Sequence, residues 1–347
     1  MIIEEMVEKA LLLGLPVTAE TVQLCEESEI SSIIRHTPPY LLLTHALCGR
    51  SGSSVLFVFA RASFSERECD GHYPGFPSLP LTEIGRAMDQ TAAFFAGYAE
   101  STGAGKIPLL RRIAKLKGGR IERFDPLNPC WIWASLHNGE LRTTLFSGTL
   151  SSPLASIEGW TYDFNTDNEF ESSLSENLLV SPDVSCSELD RNDLMKLIPQ
   201  APPFLILESA TISKEPNGHA TISAHAQVLP EMKAGYLGQD SILGPMHCSR
   251  ALAQSGMVLC TAVLPFPDVI PEVASASRIW YDTSCYFKNQ NDVTVIARIE
   301  NVISKKSLNM AKVSGSLFCK GREIYGAESL HYILIPRHEH PAGSSNQ

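Results

Sequence analysis

The chain places a histidine in a glycine- and proline-rich loop, Gly71-His72-Tyr73-Pro74-Gly75-Phe76-Pro77-Ser78-Leu79-Pro80, directly before a long apolar segment. Imidazole can take up a proton near neutral pH, so His72 in that setting is a candidate general base. Cys69, three residues earlier, opens a Cys–His nucleophile reading, against which stands a plain inert thiol; Cys248 beside His247 has the same status. Gln90 and Gln254 sit in apolar segments, where an amide needs partners, so structural hydrogen bonds are expected of both. Asp89 has no evident role. The run Arg111-Arg112-Ile113-Ala114-Lys115-Leu116-Lys117 offers a surface for an acidic carrier or a phosphate, or else the alternating charges of an edge strand. His338 and His340 are too few for a metal site, and no metal or cofactor is implied. Trp131 and Trp133 share a strand face and are expected to pack.

The elements that position these residues come in two sets. A length of 347 residues corresponds to two domains at about 150 residues each, and 44% hydrophobic residues suit globular cores. A formal charge of −10 argues against a nucleic-acid or anionic-membrane surface. Nine scattered cysteines without a CxxC pair indicate reduced thiols. The acidic start MIIEEMVEKALLLGL differs from a signal peptide, and no apolar run is long enough to span a bilayer, so a cytoplasmic protein without membrane insertion is expected.

Ile33–Leu43 (IIRHTPPYLLL) aligns with Leu197–Leu207 (LIPQAPPFLIL), residue 33 against 197, an offset of 164. Arg86-Ala87-Met88-Asp89-Gln90-Thr91 meets Arg250-Ala251-Leu252-Ala253-Gln254-Ser255 at the same offset. Two separated matches without a gap mark a tandem duplication. The expected layout is a helical prefix over 1–29, in two short pieces around Gly14 and Pro16, then copy one over 30–165. A polar linker over 166–192, copy two over 193–336 and a disordered tail over 337–347 complete it. Each copy reads as a Pro-Pro turn, two strands, a loop, one long apolar helix (about 80–100 and 244–263) and about three further strands. One apolar helix amid antiparallel strands predicts an α+β fold with a curved sheet wrapped around the helix.

GHYPGFPSLP followed by Arg86-Ala87-Met88-Asp89-Gln90 resembles the hot-dog-fold β-hydroxyacyl-acyl-carrier-protein dehydratases, whose pattern is GHFPGxPxxPG, then an acid followed by A-x-x-Q. The Pro-Pro-Tyr/Phe turn also looks like the start of that family's fold, so the likeness spans both copies. The resemblance implies a double hot-dog, the copies pairing as a pseudo-dimer within one chain. It implies a 3-hydroxyacyl thioester on acyl-carrier protein or coenzyme A as substrate, in fatty-acid or polyketide-type biosynthesis. By that resemblance His72 is the base, the Leu81 N–H receives the thioester carbonyl, and Gly75 and Tyr236 join Leu81 in substrate binding. In copy two, Tyr236 stands at the histidine position and Pro245, which has no N–H, at the donor position. One composite site is therefore expected, with His72 and Leu81 facing the helix of copy two.

The sequence departs from the family at the acid. The position four residues before the glutamine is Arg86 in one copy and Arg250 in the other, and guanidinium remains protonated. Arg250 is then a cation clamp, Asp240 and His247 are the substitute acids to consider, and a Glu83–Arg86 pair is structural. Three functions fit: a dehydratase, another hot-dog enzyme (thioesterase, isomerase or acyl transferase), and a non-catalytic relative that binds an acyl carrier or a synthase partner. A cavity beside His72 along the helix–helix seam, and a carboxyl in it, separate them.

Overall fold

The computed structural model describes residues 2–100, 106–118, 123–147, 152–165, 185–214, 219–237, 243–283, 291–305 and 308–340. In chain order, the first half comprises α1 (Ile2–Leu12), β1 (Thr21–Glu26), α2 (Glu27–Ile34), β2 (Leu43–Ser51), β3 (Ser54–Ala62), α3 (Leu81–Ala99), β4 (Ile107–Gly118), β5 (Cys130–His137), β6 (Glu140–Phe146) and β7 (Pro153–Asn165). The second comprises β8 (Ser185–Asp190), α4 (Arg191–Leu197), β9 (Leu207–Lys214), β10 (Ala220–Gln227), α5 (Pro230–Lys233), α6 (Pro245–Val263), β11 (Val269–Tyr281), β12 (Asp292–Lys305), β13 (Leu308–Cys319) and β14 (Arg322–Pro336).

The described strands form one antiparallel sheet in the order β1-β2-β3-β5-β6-β7-β4-β11-β14-β13-β12-β10-β9-β8. Read from either end the order is the same in equivalent elements, so the two halves meet at β4 and β11, where Ile113 pairs with Ile279 and Lys115 with Ser277. Each half wraps its sheet around one helix. The apolar faces of α3 and α6 are almost wholly buried, including Ala87, Met88, Ala92 and Phe94 on one and Ala251, Leu252, Val258 and Leu259 on the other. This is the double hot-dog arrangement, and the two long helices start and end at the offset read from the sequence, Leu81 with Pro245 and Ala99 with Val263.

Paired contacts lock the copies together. Thr37 N–H donates to Gly235 O at 2.9 Å, and Ala201 N–H donates to Gly71 O at 2.8 Å, so each loop holds the other copy's Pro-Pro turn. Gly71 and Gly235 both have positive φ (72° and 86°). A Cβ on Gly71 would lie 2.2 Å from Ala201 O, and one on Gly235 would lie 2.1 Å from Thr37 O, so both approaches require glycine. Gln90 receives the Leu42 N–H (2.9 Å) and donates to Tyr40 O (2.8 Å). Gln254 repeats this with Ile206 N–H (3.0 Å) and Phe204 O (2.9 Å). The amides expected to be structural therefore fix the strand that follows each turn.

Four expectations are corrected. The prefix is helical only over α1; its second piece is the strand β1, which pairs with β2. Residues 185–190, placed in the linker, form β8 against β9, so the repeat begins as far back as Thr21 and Ser185. The start of the tail is ordered: His340 N–H donates to Pro336 O at 3.1 Å, and the residue is only 1% exposed. β4 is a central strand rather than an edge, although Arg111, Arg112, Lys115 and Lys117 are exposed on it. The tryptophans pack as expected, Trp131 stacking on Phe59 (5.4 Å) and Trp133 on Phe57 (4.7 Å), in a cluster covered by Met6 and Ala10 of α1.

Candidate active site

His72 is held by the loop that introduced it. Its Nδ1 lies 3.1 Å from Ser78 O and 3.2 Å from Ser78 Oγ. The Ser78 carbonyl can only accept, so the neutral ring carries its proton on Nδ1 and leaves the Nε2 lone pair for the cavity that His72 lines. The ring packs 4.0 Å from Tyr73 and 4.8 Å from Phe204, a residue of the second copy. Burial pushes the His72 pKa down to about 3; the Ser78 carbonyl opposes this, and the Arg250 charge adds to it. The ring is therefore an unprotonated base throughout the neutral range.

The cavity lies along the seam between α3 and α6 and encloses about 80 Å³. Leu81 and Thr82 line it at the N-terminus of α3. First-turn N–H groups have no carbonyl behind them in the helix and carry the positive end of its dipole, which suits a carbonyl oxygen gaining charge. From the second copy come Gln200, Phe204, Arg250, Gln254 and Glu272. Thr82 Oγ1, Gln200 Oε1 and Arg250 Nε are buried without a hydrogen-bond partner among the described residues. Three such atoms around one cavity suit a polar ligand.

Arg250 stacks on Phe204, its guanidinium 4.2 Å from the ring centroid, and donates to Glu83. Glu83 also pairs with Arg86 at 3.1 Å, and Arg86 reaches Glu68 at 3.3 Å. The expected Glu83–Arg86 pair is thus part of a larger network in which one carboxylate bridges both arginines. Its Arg250 lines both the His72 cavity and a second cleft of about 390 Å³, which Glu68, Glu83, Arg86 and His247 also help to line.

The other sequence candidates are placed elsewhere. His247 is a helix cap: its Nδ1 accepts the Gly244 N–H at 3.0 Å, and its Nε2 lies 3.0 Å from Met232 O. Both nitrogens are occupied, so His247 is not a substitute acid for His72. Tyr236 fills the position equivalent to His72 and lines neither cavity. Its ring lies 4.9 Å from both His36 and Tyr40 and closes over Gly244 at the start of α6. The second half-site is therefore packed with aromatic rings, beside a proline that offers no N–H. Gly75 is exposed in the loop and shapes the turn with φ at 84°, away from either cavity. Asp240 lies outside the described residues. Cys69 and Cys248 are buried; burial pushes the Cys69 thiol up to about 12 and raises Cys248 also, so neither is a ready thiolate. Asp89, unassigned from sequence, accepts from Tyr162 Oη at 2.9 Å in the packed half-site, and burial raises its pKa to about 7.

Sequence reasoning missed Ser78, Glu272 and His340. Ser78 lies within the motif and could have been named as the partner of Nδ1. The other two are brought to the site by a pairing 68 residues apart in sequence.

Comparison with known proteins places the fold beside solved dehydratase domains. No family model matches the chain. Over 72 residues it is 35% identical to the 3-hydroxyacyl-acyl-carrier-protein dehydratase FabZ of Magnetococcus marinus, covering 21% of this chain and 46% of that protein. The protein of the same name from Solibacter usitatus is 31% identical over 83 residues, covering 24% and 50%. The chain thus spans about half the length of the curated relatives it matches. The dehydratase domain of PpsC from Mycobacterium tuberculosis, solved with C12:1-CoA, superposes with a TM-score of 0.55 at 10% identity. That match covers 80% of this chain and 94% of the domain. The chain has the double hot-dog fold of such dehydratase domains. Another such neighbour, the bifunctional dehydratase-cyclase domain of ambruticin biosynthesis, has a TM-score of 0.53 at 14% identity, covering 86% of this chain and 96% of that one. The double hot-dog here carries arginine at the acid position of both helices, with one open half-site and one packed one.

Proposed function

We propose that this double hot-dog protein dehydrates a 3-hydroxyacyl thioester, borne by an acyl-carrier protein or coenzyme A, to the 2-enoyl thioester in fatty-acid or polyketide-type biosynthesis. One observation carries the reading: His72, its Nδ1 held 3.1 Å from the Ser78 carbonyl, lines a cavity that also holds the start of α3. A base and a donor for enolate charge are the parts that removal of a C2 proton requires. In the Michaelis complex the thioester carbonyl accepts from the Leu81 N–H, which increases the acidity of C2. His72 Nε2 takes the C2 proton while Nδ1 stays on the Ser78 carbonyl, which fixes the ring and stabilises its charge. Arg250 orients the thioester through the edge of its guanidinium that faces the cavity.

The cavity of about 80 Å³ is below the roughly 300 Å³ at which ligand pockets commonly begin. A short acyl chain such as 3-hydroxybutyryl is therefore the favoured substrate. Lys115 and Lys117 are exposed on β4 just before Gly118, which lines the cavity, and offer cationic contacts for a carrier's phosphate arm.

Incubation of the chain with 3-hydroxybutyryl thioesters, followed by mass spectrometry of the products, tests this reading. Loss of one water from the acyl group, with the thioester intact, is the expected result. Release of free thiol with the hydroxyacid would identify hydrolysis, and an acylated acceptor would identify transfer; either would overturn it. An unchanged thioester would favour a non-catalytic carrier-binding role.

A further inference from the structure

We propose that Glu272, on β11 of the second copy, is the general acid of the His72 site, and that His340 of the C-terminal turn positions it. The assignment rests on the dehydratase reading above and names the group that reading lacks. Among the described residues that line the His72 cavity, Glu272 is the one carboxyl. Glu83 and Glu68 line the second cleft instead and are engaged by guanidinium groups.

His340 Nε2 lies 3.0 Å from Glu272 Oε1. The His340 ring meets Tyr73 edge-on at 4.9 Å, and Tyr73 lies 4.0 Å from His72. The C-terminal turn thus joins the loop that carries the base to the strand that carries the acid. Burial raises the Glu272 pKa, and His340 draws it partly back. A carboxyl in that setting is shifted toward its acid form relative to an exposed glutamate, the direction a proton donor needs.

The step balances without a further reactant. His72 Nε2 takes the C2 proton, and the C2–H electron pair becomes the C2=C3 double bond. The C3–O bond breaks with its electron pair on oxygen, which takes the Glu272 proton and leaves as water. Imidazolium and carboxylate remain, and a proton passing from the first to the second through solvent restores the site.

A substrate that does not need the acid provides the test. Chloride leaves without a proton, so the full chain is assayed with 3-hydroxybutyryl and 3-chlorobutyryl pantetheine. Glu272→Gln is expected to lower elimination from the hydroxy substrate by about 100-fold or more while keeping the chloro substrate within about threefold of wild type. His340→Asn is expected to move the alkaline limb of the kcat profile to higher pH, because His340 holds the Glu272 proton affinity down. Among the described residues, the charged and titratable groups that share the cavity with Glu272 or pair with it are His72, Tyr73, Arg250 and His340, and the first three are unchanged in that variant. Glu272→Gln with wild-type turnover of the hydroxy substrate, or with equal losses on both, overturns the assignment. Wild-type chain inactive on both substrates, or His72→Ala active on both, overturns the dehydratase reading and this assignment with it.

Discussion

Alanine at His72 lowers turnover of a 3-hydroxyacyl thioester by about 10³-fold or more, within the range attributed to a positioned base, whereas Tyr236→Phe leaves it within about twofold of wild type. The two residues hold equivalent positions, so the contrast reads out the asymmetry of the duplicated fold directly. His72 faces a cavity with Nδ1 fixed by Ser78, while the Tyr236 ring is wedged between His36, Tyr40 and Gly244. Steady-state kinetics on purified variants of matched thermal stability check the prediction. A large loss in Tyr236→Phe, or none in His72→Ala, would mean that the wrong half had been taken as the working one.

The second large effect is on stability. Burial holds His36, His72 and His247 each at about 3, against 6.5 when unfolded. A folded-state pKa below the unfolded value gives stability that is present above pH 6.5 and lost as pH falls toward 3. At pH 5 the three together withdraw on the order of 6 kcal/mol. Asp89 acts in the opposite direction, because its pKa rises from 3.8 to about 7 on folding. Its contribution is present below pH 3.8 and lost as pH rises through 7, which returns about 2–3 kcal/mol between pH 8 and pH 5. The wild-type chain is therefore expected to lose a few kcal/mol on acidification to pH 5, a large share of a normal stability of about 5–15 kcal/mol. Asp89→Asn, which can still accept from Tyr162, is expected to be more stable than wild type at pH 8, by up to about 4 kcal/mol, and to converge with it at low pH. Urea titrations at pH 5 and pH 8 measure both. Equal stability of the two proteins at pH 8 would contradict the burial of a charged Asp89.

The helices and the paired turns were legible in the sequence because they repeat: one offset aligned the Pro-Pro turns, the arginines and the glutamines, and it also aligns the ends of α3 and α6. β1 and β8 were not legible. TVQLCE and SCSELD carry few apolar residues, and each becomes a strand only by adding to the edge of a sheet built from later segments. At the site, a local motif pointed to His72, and the sequence already showed that α6 opens on Pro245, without an N–H, where α3 opens on Leu81. The arginines were visible, but their shared neutralisation by Glu83 depends on the approach of two helices distant in sequence. Glu272 looked like an ordinary residue in the strand VIPEVASASRIWY, and His340 fell in a stretch of tail-like composition. Their meeting beside Tyr73 is a tertiary event, and no local spacing encodes it.

The central claim is that two copies build one site. Isothermal titration of the wild-type chain with a 3-hydroxybutyryl pantetheine analogue, its thioester replaced by an inert thioether ketone, tests it most directly. The account predicts one equivalent bound per chain, and none after His72→Trp fills the cavity. Two equivalents per chain, or an undiminished single equivalent in His72→Trp, would contradict it.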